Sequence, residues 1–178
     1  HPRHVFKPDQ PPFRLTPLRA KAVALEALGV DALIVQRFSH AFSQQPAERF
    51  VSEVLVEGLG ARHVIAGYDF VFGHERNGNC ELLLTIGHKL GFGFTAVRAV
   101  EDEDGVVYSS TRVRNFLKTG KVRAAAAILG RRFSYQGRVC RGEQRGRTIG
   151  FPTLNLLLGV AIRPALGVYA VRVGITEA

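Results

Sequence analysis

The chain has 178 residues, 46 % of them hydrophobic and 22 % charged, with 19 Gly and 8 Pro. That length suits one large domain or two small ones; that composition excludes a disordered or collagen-like chain, and no apolar run approaches the ~18–20 residues of a membrane-spanning helix. Lys and Arg number 24 against 15 Asp and Glu, and the resulting +9 attracts polyanions without choosing between nucleic acid, anionic membrane and nucleotide phosphate.

The opening His1-Pro2-Arg3-His4 has no apolar core behind it and does not read as a leader. With no Met anywhere, the chain is expected to be a piece of a longer protein. Thr16-Pro17 predicts an N-cap followed by an N1 proline, with Leu18, Ala22, Leu25 and Leu28 on one helical face and Gly29 as the stop. Ala32-Leu33-Ile34-Val35 predicts a strand buried on both faces. Pro46 opens a second helix carrying Phe50, Val51, Val54 and Leu55, stopped at Gly58. His63 to Ala66 predicts the next strand, Leu82 to Leu90 a third helix ended by Gly91, and Phe94 to Val100 another strand. Ser109 or Ser110 caps a short helix with Val113, Phe116 and Leu117, and Lys121 to Leu129 forms a last helix. The alternating order argues for a parallel α/β sheet.

After Gly130 the pattern changes. Phe133 to Cys140, Thr153 to Leu158 and Val168 to Val173 predict strands between loops rich in Gly and Arg. A domain boundary is therefore expected near Gly130, giving an α/β domain over 1–130 and a β domain over 131–178. Cys80 and Cys140 lie outside any CxxC, no His/Cys spacing fits zinc, and two reduced thiols suit a cytoplasmic protein. His63 and His74 read as surface or satisfied histidines.

Three stretches offer chemistry. Ligands of parallel α/β sheets bind beyond the carboxyl ends of strands, where Gly67-Tyr68-Asp69-Phe70-Val71-Phe72-Gly73 falls. Asp69 supplies a carboxylate there, and Phe70 and Phe72 one wall of an aromatic slot; an ordinary loop with a core Phe has the same pattern. Ser109-Ser110-Thr111-Arg112-Val113-Arg114 sits at a helix start. Unpaired N–H groups, hydroxyls and the positive helix end favour an anion there, and Arg114 lies one turn beyond Ser110 and Thr111; a plain Ser cap with surface arginines is the alternative. The third stretch runs from Gly137 to Asn155. Gly142, Gly146 and Gly150 let the backbone approach a ligand closely, and Arg147 supplies a charge-assisted bond to phosphate. Thr153 and Asn155 alternate with Leu154, so on a strand they share a face, and their oxygens beside phosphates suit Mg²⁺. A glycine-rich hairpin with a polar outer face is the alternative.

Taken in order, these segments resemble the prokaryotic bifunctional riboflavin kinase/FMN adenylyltransferase family, also called bacterial FAD synthetases. The resemblance covers nearly the whole chain. His1-Pro2-Arg3 is similar to the family's His-Pro-Arg, the Leu15-Thr16 to Phe38 stretch to its Leu-Thr…Leu-Gly-Val-Asp region, and Gly67 to Gly73 to its Gly-x-Asp/Asn-Phe-x-Phe-Gly loop. Ser109 to Arg114 resembles Ser-Ser-Thr-x-Ile-Arg with Val for Ile, and Gly146 to Asn155 resembles Gly-Arg-x-x-Gly-Phe-Pro-Thr-x-Asn.

The resemblance implies a Rossmann-like nucleotidyltransferase domain followed by an incomplete β-barrel riboflavin kinase domain. It implies ATP, riboflavin, FMN and FAD as substrates or products, and Mg²⁺ as cofactor. Asp69, Phe70, Ser110, Thr111 and Arg114 would serve the ATP/FMN site of FAD formation. Gly142, Gly146, Arg147, Gly150, Thr153 and Asn155 would serve the kinase nucleotide site, with Thr153 and Asn155 on the metal. The family's His-x-Gly-His element is expected before His1 and its kinase glutamate beyond Ala178, a position that Glu177 does not fill. Two other readings stay open: a basic nucleic-acid-binding protein, weakened by aromatics that are mostly Phe at core-like positions, and a relative that binds flavin nucleotides without catalysis.

Overall fold

Side-chain caps at Ser39, Asn79 and Ser109 start three of the helices. A computed structural model describes residues 1–175. Its helices are α1 (Pro2–Phe6), α2 (Leu18–Glu26), α3 (His40–Ser43), α4 (Ala47–Arg49), α5 (Cys80–Leu90), α6 (Ser110–Lys118), α7 (Val122–Leu129) and α8 (Arg145–Thr148). Its strands are β1 (His63–Gly67), β2 (Gly93–Val97), β3 (Val139–Cys140) and β4 (Asn155–Leu156). The chain divides into two compact units, one of His1–Gln10 with Ile34–Tyr108, the other of Pro11–Leu33 with the chain from Ser109 onward. No helix among the described residues is long and apolar enough to cross a membrane.

In the first unit, Asn79 caps α5: its side-chain oxygen accepts the Leu82 N–H at 2.9 Å. Gly91 ends the helix in the left-handed conformation (φ 78°). α5 is the crossover between β1 and β2, which pair in parallel from His63↔Gly93 to Gly67↔Val97. Ahead of β1, α4 runs into a wider helical stretch over Phe50–Gly58, where the Leu59 N–H reaches back five residues to the Val54 carbonyl (3.1 Å). Ala47, Val51, Phe72, Leu83, Ile86 and Phe92 form the core, with Val64 and Phe94 packed on it from the strands. Ile65 points the other way and is 67 % exposed, as the two-residue period of a strand requires when one sheet face is covered.

Two expectations change in this region. Ala32 to Val35 forms no strand, and Ile34 is 63 % exposed. A buried parallel strand needs a hydrogen-bonded neighbour and cover on its faces, and none among the described residues provides a ladder for it. β2 also stops at Val97 rather than Val100. There the chain turns to pair Glu101 with Val107 in antiparallel fashion, and the Asp102 carboxylate accepts the N–H groups of Asp104 (3.2 Å) and Val106 (2.8 Å) in the connecting turn.

In the second unit α6 and α7 pack around Val113, Leu117, Ala125 and Ile162, with Leu15 and Phe133 against them. Gly130 (φ 63°) stops α7. α2 starts one residue later than expected, with Pro17 rather than Thr16 at the boundary. Between these elements, Arg14 pairs with Ala161: its N–H donates to the Val160 carbonyl (3.2 Å) and its carbonyl accepts from Ile162 (2.9 Å).

The expected strands after Gly130 are mostly replaced by irregular chain. Of Phe133 to Cys140 only Val139–Cys140 is laddered, against Asn155–Leu156 from the Thr153–Leu158 segment. Val168 to Val173 is not a strand, and Val171 stays 74 % exposed. Apolar alternation makes a strand only where another strand edge and a packing face meet it. Phe133 and Tyr135 instead set their rings edge to face at 5.1 Å, and the Tyr135 hydroxyl donates to the Ile162 carbonyl at 2.7 Å. The fold is thus mixed α/β with a parallel sheet. Glu177 lies outside the described residues.

Candidate functional site

The loop after β1 is built by a turn, a glycine and stacked rings. The Phe70 N–H closes on the Gly67 carbonyl (3.0 Å), leaving Asp69 exposed at the bend. Phe70 stacks on Phe72 with centroids 5.3 Å apart and planes 18° from parallel. The two rings differ in duty: Phe72 belongs to the core, whereas Phe70 is 37 % exposed. The contacts continue from Phe72 to Phe50 (5.5 Å), Phe42 (6.1 Å), Phe38 (5.9 Å) and Phe6 (5.8 Å). Gly73 must be glycine, because its φ is 75° and a Cβ there would meet the Ala47 backbone at 2.7 Å. Beneath the loop, the Cys80 thiol donates towards the carbonyls of Gly67 (3.4 Å) and Tyr68 (3.5 Å). His63 is a satisfied surface histidine, with Nε2 2.9 Å from Thr95 Oγ1.

At the start of α6, Ser109 rather than Ser110 is the cap, accepting the Arg112 N–H at 3.2 Å. Ser110 and Thr111 are thereby the first helical residues and are exposed, while Val113 and Leu117 turn into the core. Arg114 follows Ser110 by one turn. Its Nε–H donates to the Phe13 carbonyl at 3.0 Å, and its guanidinium carbon stands 5.9 Å from the centre of the Phe13 ring. Phe13 is 7 % exposed. This partner was not legible locally: only Pro11-Pro12, which hold an extended backbone before it, hint that the carbonyl is fixed.

The Gly/Arg stretch folds back on itself. Gly142 lies against the Asn155 side chain, where a Cβ would sit 2.5 Å from Nδ2. Gly146 lies against Thr153 and Phe151: a Cβ there would overlap the Phe151 carbonyl and come within 3.2 Å of Thr153 Cγ2. The Phe151 N–H closes this loop on the Gly146 carbonyl at 2.7 Å. Gly142, Gly146, Thr153 and Asn155 are therefore brought together, with β3 holding Asn155 through Cys140. Thr153 itself lies outside the ladder. Gly150 takes a φ of 81°, and Arg147 is exposed on α8. Glu143 pairs with Arg145 at 2.6 Å, both largely in solvent.

Nearby, burial and the adjacent Tyr169 phenol push the Tyr135 hydroxyl up to about 12. A cavity of about 200 Å³ between α2 and residues 131–136 is lined by Thr16, Val23, Arg131, Ser134 and Gln136 among others, and includes none of the residues nominated from sequence. Among the described residues no three His, Cys, Asp or Glu side chains gather as a metal site.

The sequence model described as FAD synthetase matches residues 1–112, and that described as riboflavin kinase matches residues 129–178. A protein of Escherichia coli K12 named bifunctional riboflavin kinase/FMN adenylyltransferase is 41 % identical over 172 residues, covering 97 % of this chain and 55 % of that protein. Those of Haemophilus influenzae (38 %, covering 97 % and 56 %) and Pseudomonas fluorescens (39 %, covering 98 % and 55 %) carry the same name. The chain spans about half the length of the curated relatives it matches. A crystal structure described as a macrolide-efflux protein from Streptococcus pneumoniae superposes with a TM-score of 0.76 at 30 % identity, covering 93 % of this chain and 53 % of that one. With more than half of its length under one family's sequence model, this chain belongs to the FAD synthetase family.

Proposed function

We propose that this chain contributes to two ATP-dependent steps of FAD formation. In one, the γ-phosphoryl group of ATP passes to a riboflavin hydroxyl, giving FMN and ADP. In the other, the FMN phosphate attacks the α-phosphorus of a second ATP, giving FAD and releasing pyrophosphate. The supporting observation is the pairing of Gly142 with Asn155 and of Gly146 with Thr153, inside the stretch matched by the riboflavin kinase model. The α6 start, inside the FAD synthetase match for Ser110 and Thr111, is the counterpart for adenylyl transfer.

The residues act mainly by position and charge, as phosphoryl transfer demands. The loop from Gly142 to Gly150 presents backbone N–H groups to the kinase nucleotide, and Arg147 neutralises phosphate charge. The Thr153 hydroxyl and Asn155 carboxamide oxygen are hard neutral donors held beside that loop. They suit Mg²⁺ as a partial shell completed by phosphate oxygens and water, and the ion would supply charge neutralisation. In the adenylyl step, the N–H groups and hydroxyls of Ser110 and Thr111 bind phosphate at the helix start. We assign Asp69 and Phe70 to ATP/FMN binding on the loop after β1, the Phe70 ring providing a flat surface for a heterocycle. We assign adenylyl transfer to a Rossmann-like domain of residues 1–130 and phosphorylation to residues 131–178, as part of a β-barrel. The partners are small molecules in the cytoplasm; a nucleic-acid-binding reading is not favoured by either family match.

The test is separation of the two activities in the full-length protein. Thr153→Ala or Asn155→Ala should abolish riboflavin phosphorylation while FMN is still converted to FAD. Equal loss of both activities would refute two separate sites.

A further inference from the structure

We infer that Phe13 is a positioning residue for adenylyl transfer, acting through Arg114. This rests on the reading of the α6 start as the ATP phosphate site. A guanidinium carries five N–H donors in one plane. The Phe13 carbonyl takes the Nε–H at 3.0 Å and the Phe13 ring lies 5.9 Å from the guanidinium carbon, so one hydrogen bond and one ring contact act on the same plane. Arg114 has four side-chain torsions, and the two Phe13 contacts restrict where they can place its charged end. The Nη nitrogens are the pair that meets a phosphate, and their direction follows once the Nε–H is held.

The anchor is itself rigid. Phe13 is 7 % exposed, Pro11 and Pro12 restrict the backbone before it, and Arg14 after it is bonded on both sides, to Val160 and Ile162. The carbonyl therefore stays put when the arginine is pulled towards a ligand. An arginine fixed in advance loses less conformational freedom when ATP arrives. The contribution should accordingly appear in ATP affinity more than in turnover.

The experiment is a double-mutant cycle in the full-length protein, read as KM for ATP and kcat in FAD formation from FMN. Phe13→Leu keeps the apolar burial but loses the ring face, and should raise KM about 3- to 5-fold with kcat within twofold. Arg114→Ala should raise KM roughly 10- to 100-fold, the range of a charge-assisted bond. In the Arg114→Ala background, Phe13→Leu should add nothing. The same KM rise from Phe13→Leu in both backgrounds, or no rise in either, would overturn the positioning role while leaving the phosphate site standing. An unchanged KM in Arg114→Ala would instead remove the phosphate site, and this role with it. Arg114→Lys provides an arm that leaves Phe13 intact. Lysine has charge but no Nε–H fork, so KM should rise as in Arg114→Ala, and a wild-type KM would refute the anchored fork.

Discussion

Gly146→Ala tests the kinase loop with the smallest possible change. The added methyl would overlap the Phe151 carbonyl and lie within 3.2 Å of Thr153 Cγ2. Neither obstacle is the tip of a flexible side chain, since one is backbone and the other a methyl on a β-branched residue. The Phe151 N–H bond to the Gly146 carbonyl, 2.7 Å long, must stretch or break to make room. Overpacking of this kind costs about 1–3 kcal/mol, and the lost bond about 0.5–1.5 kcal/mol. Ile149 and Phe151 are 70 % and 75 % exposed, so the loop relieves the clash by moving outward, and the helix core is spared. A shift on the order of 1 Å in a positioning element costs about 100-fold in rate. Riboflavin phosphorylation by the full-length variant, followed as FMN on a reversed-phase column, should therefore fall about 100-fold, with the thermal unfolding midpoint lowered by only a few degrees. Phosphorylation at the wild-type rate by Gly146→Ala would refute the close approach of this loop to Thr153.

Leu83 is fully buried between α5 and the sheet, so Leu83→Ala should cost about 2–5 kcal/mol, measured by urea unfolding. A cost below 1 kcal/mol would mean that the site collapses around the missing atoms. Tyr135 gives a pH signature. Its hydroxyl is raised from 10.0 to about 12 by burial and by Tyr169, above its unfolded value. The stability of the neutral phenol is therefore fully present below about pH 10 and is lost as pH rises towards 12. Tyr135→Phe should lower stability at pH 8 and flatten its decline across the alkaline range; an identical alkaline slope in wild type and variant would refute this.

Short-range chemistry was the legible part of the fold. Gly91 and Gly130 stop their helices in the left-handed conformation, and a serine at 109 accepts an N–H three residues on; each effect is decided within one turn of chain. Strands depend on distant partners, which explains the difference between two similar apolar runs. His63 to Gly67 pairs with Gly93 to Val97 across one crossover, whereas Ala32 to Val35 has no ladder among the described residues. At the candidate sites, residue types were readable because glycines, hydroxyls and arginines have restricted uses. What holds them was not. Arg114 is readable as a phosphate candidate one turn into a helix, but the carbonyl that anchors it lies about a hundred positions earlier, on Phe13. Gly142 and Gly146 were legible as points of close approach, but which side chain each admits required the folded loop.

The strand-like pairing of Arg14 with Ala161 has a consequence for synthesis. Chains emerge from the ribosome amino end first, and domains generally fold as they are completed. The first unit holds its βαβ core within residues 47–94 and meets that condition early. The second cannot, because Ile162 is one of the four buried residues on which α6 and α7 close. The two helices therefore emerge with an apolar face uncovered until residues 160–162 arrive, roughly thirty residues and a few seconds of translation later at about 5–20 residues per second. Closing the long loop adds an entropic cost that grows only slowly with its length, so the delay is one of availability more than of energy. During that interval the α6–α7 pair is open to a chaperone or to a wrong partner.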